Sequence, residues 1–272
     1  MRFVFPAPEG TGDKRYEYYW DLMKEVLEAT RPNWGDYKLE KHPMVMNAQR
    51  VTHELQQGGE PNILVRTTNR ELESTLQPVR IPLDKGLTGY RVFLTMQQTL
   101  PKLASVDSLD SLKKFSIGQE VRWADVEILK VAGFNVVTGE GYQGLFGMLG
   151  ANRFDLFSRG VNEVVAEHEA NKLKVPGLTI EPKLLLYYPL PRYYFVSKTA
   201  QGLQMAKRIE EGLRLLIKSG AFDKRYKAHK QHLLSGLSLS GRKVFRINNA
   251  TLPPNTPLDE KALWDDLQEE LK

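Results

Sequence analysis

Cysteine is absent from all 272 residues. This excludes disulfide bonds, thiolate metal ligands and thiol nucleophiles, but it leaves the compartment open, because disulfide-free proteins occur on both sides of a membrane. Long apolar runs are absent too, and no stretch approaches the ~20 residues that a membrane-spanning helix needs. Histidine is sparse, with His42, His53, His168, His229 and His232 making up the whole set of five. His229 and His232 have a spacing that suits a metal on a helix face. No H-E-x-x-H or similar carboxylate signature stands with them, so a solvated basic helix is the simpler reading. Runs of five or more like charges are missing. The net charge of +5 and the sequence pI of about 9.2 therefore read as scattered surface charge, not a nucleic-acid-binding stripe. No G-x-S-x-G, Walker or G-x-G-x-x-G loop stands in the right context. Gly139-Glu140-Gly141 follows a predicted strand but lacks the third glycine and the acidic partner. No motif calls for a cofactor.

What is present is a hydrophobic content of 41%, enough to bury one large core or two ordinary ones. Strand-like and helix-like stretches alternate, which points to an α/β class. Residues 2–5 read as a strand stopped by Pro6, followed by the loop Glu9 to Asp13 and a helix from Tyr16 to Ala29. The opening residues Met1 to Pro6 are too short an apolar run for a signal peptide, which leaves a cytoplasmic protein and a mature form with its leader removed as two expectations. Asn62 to Arg66 has the continuous apolar pattern of a strand in a parallel sheet. From Ser105 to Asn171 the pattern runs helix, strand, helix, strand, helix, strand, helix, a doubly wound unit whose first helix takes Asp107 as its N-cap. Ala200 to Ile217 carries the clearest helical stripe, through Ala206, Ile209, Leu213, Leu216 and Ile217. Leu263 to Leu271 reads as a short acidic helix. The expected organisation is one lobe over 1–90 and 193–235, a second over 91–192, and a C-terminal extension over 236–272. The two crossings would permit hinge closure over a ligand in an interlobe cleft.

Several segments carry a family likeness. Thr67-Thr68-Asn69-Arg70 leaves an apolar strand and is followed by Pro78 to Pro82. Val106 to Lys114 reads as the entry to a second lobe. Tyr142, Leu145, Met148-Leu149 and Arg153-Phe154-Asp155 form a helix and a strand, and Ser219 to Tyr226 forms a turn after a long helix. In order and spacing this resembles the type 2 periplasmic solute-binding proteins, the amino-acid-binding group, over about residues 1–235, and in particular a poorly characterised subgroup of them. The resemblance implies two doubly wound lobes joined by two crossover strands. It also implies a monomer in the periplasm that hands a small solute to an ABC-type membrane transporter. Related domains serve as sensor inputs, and a few act as small dehydratases.

The same resemblance nominates the site residues. Arg70 matches the family's carboxylate clamp, and a planar guanidinium is suited to that role; its alternative is a surface pair with Glu71 or Glu73. Thr67 is expected beside it, unless it only caps the next turn. Gln119-Glu120-Val121-Arg122 opens the helix near Trp123, where backbone amides bind anions readily. Here Glu120-Val121 replaces the family's glycine and hydroxyl residue, and Glu120 is expected to repel a carboxylate. Trp123 would stack on the ligand or pack under its helix. Arg159 stands where amino-acid binders hold an ammonium with aspartate. Facing the ligand it would favour a second anionic group; otherwise it pairs with Glu163. Asp155 is expected to be structural, and Tyr187, Tyr188, Tyr193 and Tyr194 to be hinge packing. The function implied is capture of a small anionic or zwitterionic solute without catalysis. The rival readings are a sensor or orphan binder and, further off, a lyase using Glu120 or Glu140 as base.

Overall fold

The structure is a computed structural model that describes residues 1–8 and 16–272. The loop expected over Glu9 to Asp13 lies outside the described residues. In chain order the elements begin with β1 (Arg2–Phe5), α1 (Glu17–Ala29), α2 (Arg31–Trp34), β2 (Lys38–Lys41), α3 (Ala48–Gln56), β3 (Leu64–Thr67), α4 (Arg70–Thr75) and β4 (Gln77–Val79). Next come β5 (Tyr90–Met96), α5 (Leu100–Leu103), α6 (Leu109–Leu112), β6 (Ile117–Glu120), α7 (Ala124–Val131), β7 (Val136–Gly139), α8 (Tyr142–Gly150), β8 (Leu156–Gly160) and α9 (Val164–Asn171). The last are β9 (Leu178–Ile180), β10 (Leu184–Tyr187), β11 (Arg192–Val196), α10 (Ala200–Lys218), α11 (Ala221–Leu233), β12 (Lys243–Arg246) and α12 (Gln268–Leu271).

The chain divides into two compact units. Unit 1 comprises Met1–Lys85, Pro191–His229 and Pro253–Leu263, and unit 2 comprises Gly86–Leu190, Lys230–Leu252 and Trp264–Lys272. The residues beyond 235 are thus shared between both units.

In unit 1, β1 and β2 pair in parallel, and β11 lies between β3 and β4 with both pairings antiparallel. The strand expected over 62–66 in a parallel sheet starts at Leu64 and pairs antiparallel with β11, while Asn62 donates its amide to Val4 O at 2.9 Å. An apolar run reports burial, which a covered antiparallel edge strand shares, so the pattern did not fix direction. Helix α1 buries Tyr18, Tyr19, Leu22, Met23, Val26 and Leu27, a three-and-four spacing that faces α10. The two helices meet closely at Gly212, where an added Cβ would stand 2.5 Å from Val26 O. Overpacking there has no flexible neighbour to absorb it.

Unit 2 is built on one seven-stranded sheet. Strands β7, β6 and β8 are parallel, and β5 runs antiparallel beside β8 and leads on to β10 and β12. Residues alternate between faces along each strand. One face carries Phe93, Ile117, Leu156 and Leu186 into a core with Leu112, Ile128 and Leu129. The other presents Phe157, edge-on to Phe146 of α8.

Three local expectations are corrected. Ser108, not Asp107, caps α6: its Oγ accepts from Ser111 N at 3.2 Å while Ser111 Oγ accepts from Ser108 N at 3.0 Å. The helix expected over 263–271 is only a 3-10 turn at Lys261–Leu263 and the short α12. Between them Leu267 is fully buried at φ 53°, with its amide bonded to Asp265 Oδ1 at 2.9 Å; side-chain capping of this kind competes with helix. The turn read over Ser219 to Tyr226 reaches only Gly220, and from Ala221 the chain is α11, in line with the basic helix read around His229 and His232.

Each unit also buries a tyrosine hydroxyl. In unit 1, Tyr194 donates to Tyr19 O; in unit 2, Tyr188 donates to Asp125. Burial pushes both pKa values well above the ordinary tyrosine value. The protonated form is therefore held more tightly in the folded than in the unfolded chain. That contribution is complete below pH ~10 and is lost as pH rises toward the folded value. Unfolding free energy measured against pH should fall by about 1.4 kcal/mol per pH unit for each of these tyrosines above pH ~10. Phenolate absorbance reaching the full value for all eleven tyrosines without loss of structure would contradict it.

Candidate functional site

In unit 1 the relevant step is the exit from β3. Thr67 ends the strand beside Arg192 of β11, whose guanidinium lies 6.0 Å from the Tyr19 ring. Asn69 caps α4 by accepting from Leu72 N at 2.7 Å, and Arg70 is the first helical residue. Arg70 is exposed, and among the described residues no carboxylate pairs with it. Of the acids expected to compete for it, Glu73 is committed elsewhere. It is buried, accepts from Thr68 Oγ1 at 2.6 Å, and takes Arg80 Nε at 2.9 Å. Charge at this strand end is thus divided between a satisfied buried pair and an uncommitted guanidinium.

In unit 2 the carboxyl ends of three parallel strands gather the remaining candidates, the position where open α/β sheets place their ligands. Gln119 at the end of β6 is fully buried, and its Nε2 donates to Ser158 O at 3.4 Å. Glu120 is also buried. Its carboxylate accepts from Arg122 N at 2.8 Å and Arg122 Nε at 2.9 Å, so the expected repulsion of an anion by Glu120 is offset within its own turn. Trp123 precedes α7 with its ring stacked on Phe157 at 6.2 Å and 6°. Gly141 has φ 76°, the left-handed conformation that glycine tolerates, and it starts α8 so that Tyr142 lies 6.4 Å from Trp123.

Arg159, at the end of β8, is only 6% exposed. Its Nε and Nη2 each reach Glu167 at 2.6 Å, and Nη2 reaches Glu163 at 2.9 Å. Burial alone would depress this guanidinium, but the Glu163 and Glu167 carboxylates outweigh it and hold the pKa above the usual arginine value. The alternative pairing with Glu163 is therefore present, joined by Glu167, which the sequence reading did not include. One cation here faces two carboxylates, so Arg159 is not left to attract a second anionic group. Asp155 is structural as expected, accepting from Ser116 N at 2.8 Å and Ser116 Oγ at 2.6 Å.

Sequence reasoning missed a second buried group on the opposite face of the same sheet. Arg91 of β5 and Tyr188 both donate to Asp125 in the first turn of α7, and Arg91 Nη1 also donates to Thr88 O at 3.1 Å. A charged residue inside a strand that is otherwise wholly buried was the available signal. Among the described residues, no group of histidines and carboxylates is arranged to hold a metal ion, and no helix is long and apolar enough to cross a membrane.

No protein-family model matches the sequence, and a search of curated proteins finds no relative. Solved structures do match. An ancestral arginine-binding protein bound to arginine is 19% identical, aligns over 84% of this chain and 96% of its own, and has a TM-score of 0.56. A histidine kinase sensor domain with similarity to periplasmic binding proteins is 14% identical over 86% of this chain and 96% of its own, with a TM-score of 0.58. An ancestral amino-acid-binding protein, a precursor of cyclohexadienyl dehydratase, is 14% identical over 84% and 94%, with a TM-score of 0.56. At such identities the likeness is one of fold, the mixed α/β fold of the type 2 periplasmic binding proteins. Solute binding and a kinase sensor domain are both represented, and one of the binders is a precursor of an enzyme, so fold alone does not choose among these uses.

Proposed function

We propose that this chain, which has the fold of the type 2 periplasmic binding proteins, captures a small zwitterionic solute of the amino-acid class and leaves it chemically unchanged. The observation that carries this reading is Arg70: an exposed guanidinium at a strand-to-helix step, with no described carboxylate paired to it. A planar guanidinium makes two parallel bonds to a carboxylate, and Thr67 supplies a hydroxyl close by in sequence. In unit 2 the Trp123, Tyr142 and Phe157 rings with Arg159, Glu163 and Glu167 form an aromatic group with a surplus of one carboxylate. With one cation already facing two carboxylates, that group disfavours a second negative charge on the solute. Gln119, fully buried, acts in this reading as support for the turn that carries Trp123. The amino-acid-binding neighbours support the same class of solute. Periplasmic location and delivery to an ABC-type transporter belong to this proposal, and cell fractionation tests the first of them.

A thermal-shift screen of amino acids, carboxylates and short peptides tests it directly. A solute at a hundred times its dissociation constant should stabilise the protein by about 2.7 kcal/mol, a rise of several degrees. Arg70→Ala should abolish that response, and an unchanged shift in this variant would remove Arg70 from the site. A sensor input is the second reading, supported by the histidine kinase neighbour; identification of the protein's natural partner separates the two. A lyase reading has less support, since Glu120 is held by Arg122 and is not a free base. Unchanged solute after prolonged incubation would count against it.

A further inference from the structure

The surroundings of Arg159 come from four places in unit 2: Trp123 before α7, Tyr142 at the start of α8, Phe157 on β8, and Glu163 with Glu167 at and within α9. The guanidinium carbon lies 4.5 Å from the Trp123 ring, 5.1 Å from Phe157 and 5.7 Å from Tyr142. Glu167 takes two parallel N–H bonds from it and Glu163 a third contact. Aromatic faces and a bidentate carboxylate together form the chemistry that recognises a guanidinium and discriminates against a compact ammonium, which lacks the planar fork.

We infer that this is a guanidinium-binding cage that the chain occupies with its own arginine. Arg159 then acts as a positioning residue. It holds the Trp123 ring in place and ties the start of α9 to the end of β8, and the folded protein admits no guanidinium group of a solute to the cage. Emptied of Arg159, the cage keeps its three rings and two carboxylates. It becomes a vacant site for alkylguanidinium ions. None of this depends on which solute the protein carries, or on Arg70.

The test uses the full chain and methylguanidinium chloride, with methylammonium chloride and sodium chloride as controls for charge and ionic strength. Arg159→Ala should gain a Tm increase of about 3 °C or more with methylguanidinium at ten times its dissociation constant. A tryptophan fluorescence change should saturate over the same range and disappear when Trp123→Phe is added. The unsubstituted protein should show neither effect. Arg159→Lys should respond more weakly than Arg159→Ala, since the lysine still occupies part of the space. Equal responses to methylguanidinium and methylammonium would reduce the cage to a patch of negative charge and overturn the inference; so would a folded Arg159→Ala that ignores both. If Arg159→Ala does not fold, Arg159→Ala combined with Glu163→Gln and Glu167→Gln decides. Recovery of folded protein supports a cage built around a cation, and continued failure to fold refutes it.

Discussion

Asp125→Ala is expected to cost unit 2 about 3–5 kcal/mol, because it takes away the carboxylate bonded to the buried Arg91 guanidinium. Arg91 is 3% exposed, Asp125 6% and Tyr188 0%, so water does not compensate for a lost partner. Burial pulls the Arg91 pKa down, yet Asp125, Tyr188 and Glu163 together more than reverse this and hold it above the usual arginine value. The cost belongs to the orphaned charge, not to the pair as such. The double replacement Arg91→Met with Asp125→Leu should therefore recover most of the loss. Tyr188→Phe keeps the ion pair and removes a single hydrogen bond, so it should cost only about 1–2 kcal/mol. Hydrogen exchange at the amides of β5 and α7 reports on unit 2 alone and is the measurement of choice. A loss below about 1 kcal/mol for Asp125→Ala would show that the pair is not the keystone proposed.

Arg208→Met should have a comparable effect in unit 1, for a different reason. Arg208 is fully buried on α10, and among the described residues it has no carboxylate partner. Its Nε donates to Thr30 Oγ1 at 3.0 Å, and its Nη2 to Leu27 O at 3.3 Å and Gly35 O at 2.8 Å. These acceptors lie at and just beyond the C-terminal end of α1, where unsatisfied carbonyls concentrate negative partial charge and a cation is favoured. Burial pushes the Arg208 pKa down, as expected for a charge balanced by dipoles alone. Methionine preserves the packing of the stem but leaves the Leu27 and Gly35 carbonyls without this donor. A loss of about 3 kcal/mol is expected from two or more such groups. It should be read as faster amide exchange in the last turn of α1, with β6 in unit 2 unaffected. Unchanged exchange in α1 would mean that water replaces the guanidinium without cost.

The parts of the fold that were legible in the sequence are those with a local cause. The stripe of α10 follows from side chains three and four apart, and the helix read through Tyr142, Leu145 and Met148-Leu149 is α8. The direction of β3 was not legible, because the apolar run Ile63-Leu64-Val65 records burial and carries no sense of its neighbour's orientation. At the candidate site, Arg70 and Arg159 were nominated by the family resemblance, and Arg159 was read with one of its two acids. Glu167 lies eight residues on, across a turn and onto the following helix, where helical spacing rules do not reach. Asp125 and its partners Arg91 and Tyr188 are separated by 34 and 63 residues. Such a contact leaves no trace in any sequence window.

The antiparallel trio of unit 1 has a bearing on how the protein is made. β3 and β4 leave the ribosome early, but the strand that joins them, β11, emerges only after all of Gly86–Leu190. That intervening stretch holds six of the seven strands of the unit 2 sheet and can begin to fold as it appears. The earlier lobe must wait, half built, for its central strand, and its open strand edges are the nascent chain's main exposure to chaperones and to mispairing.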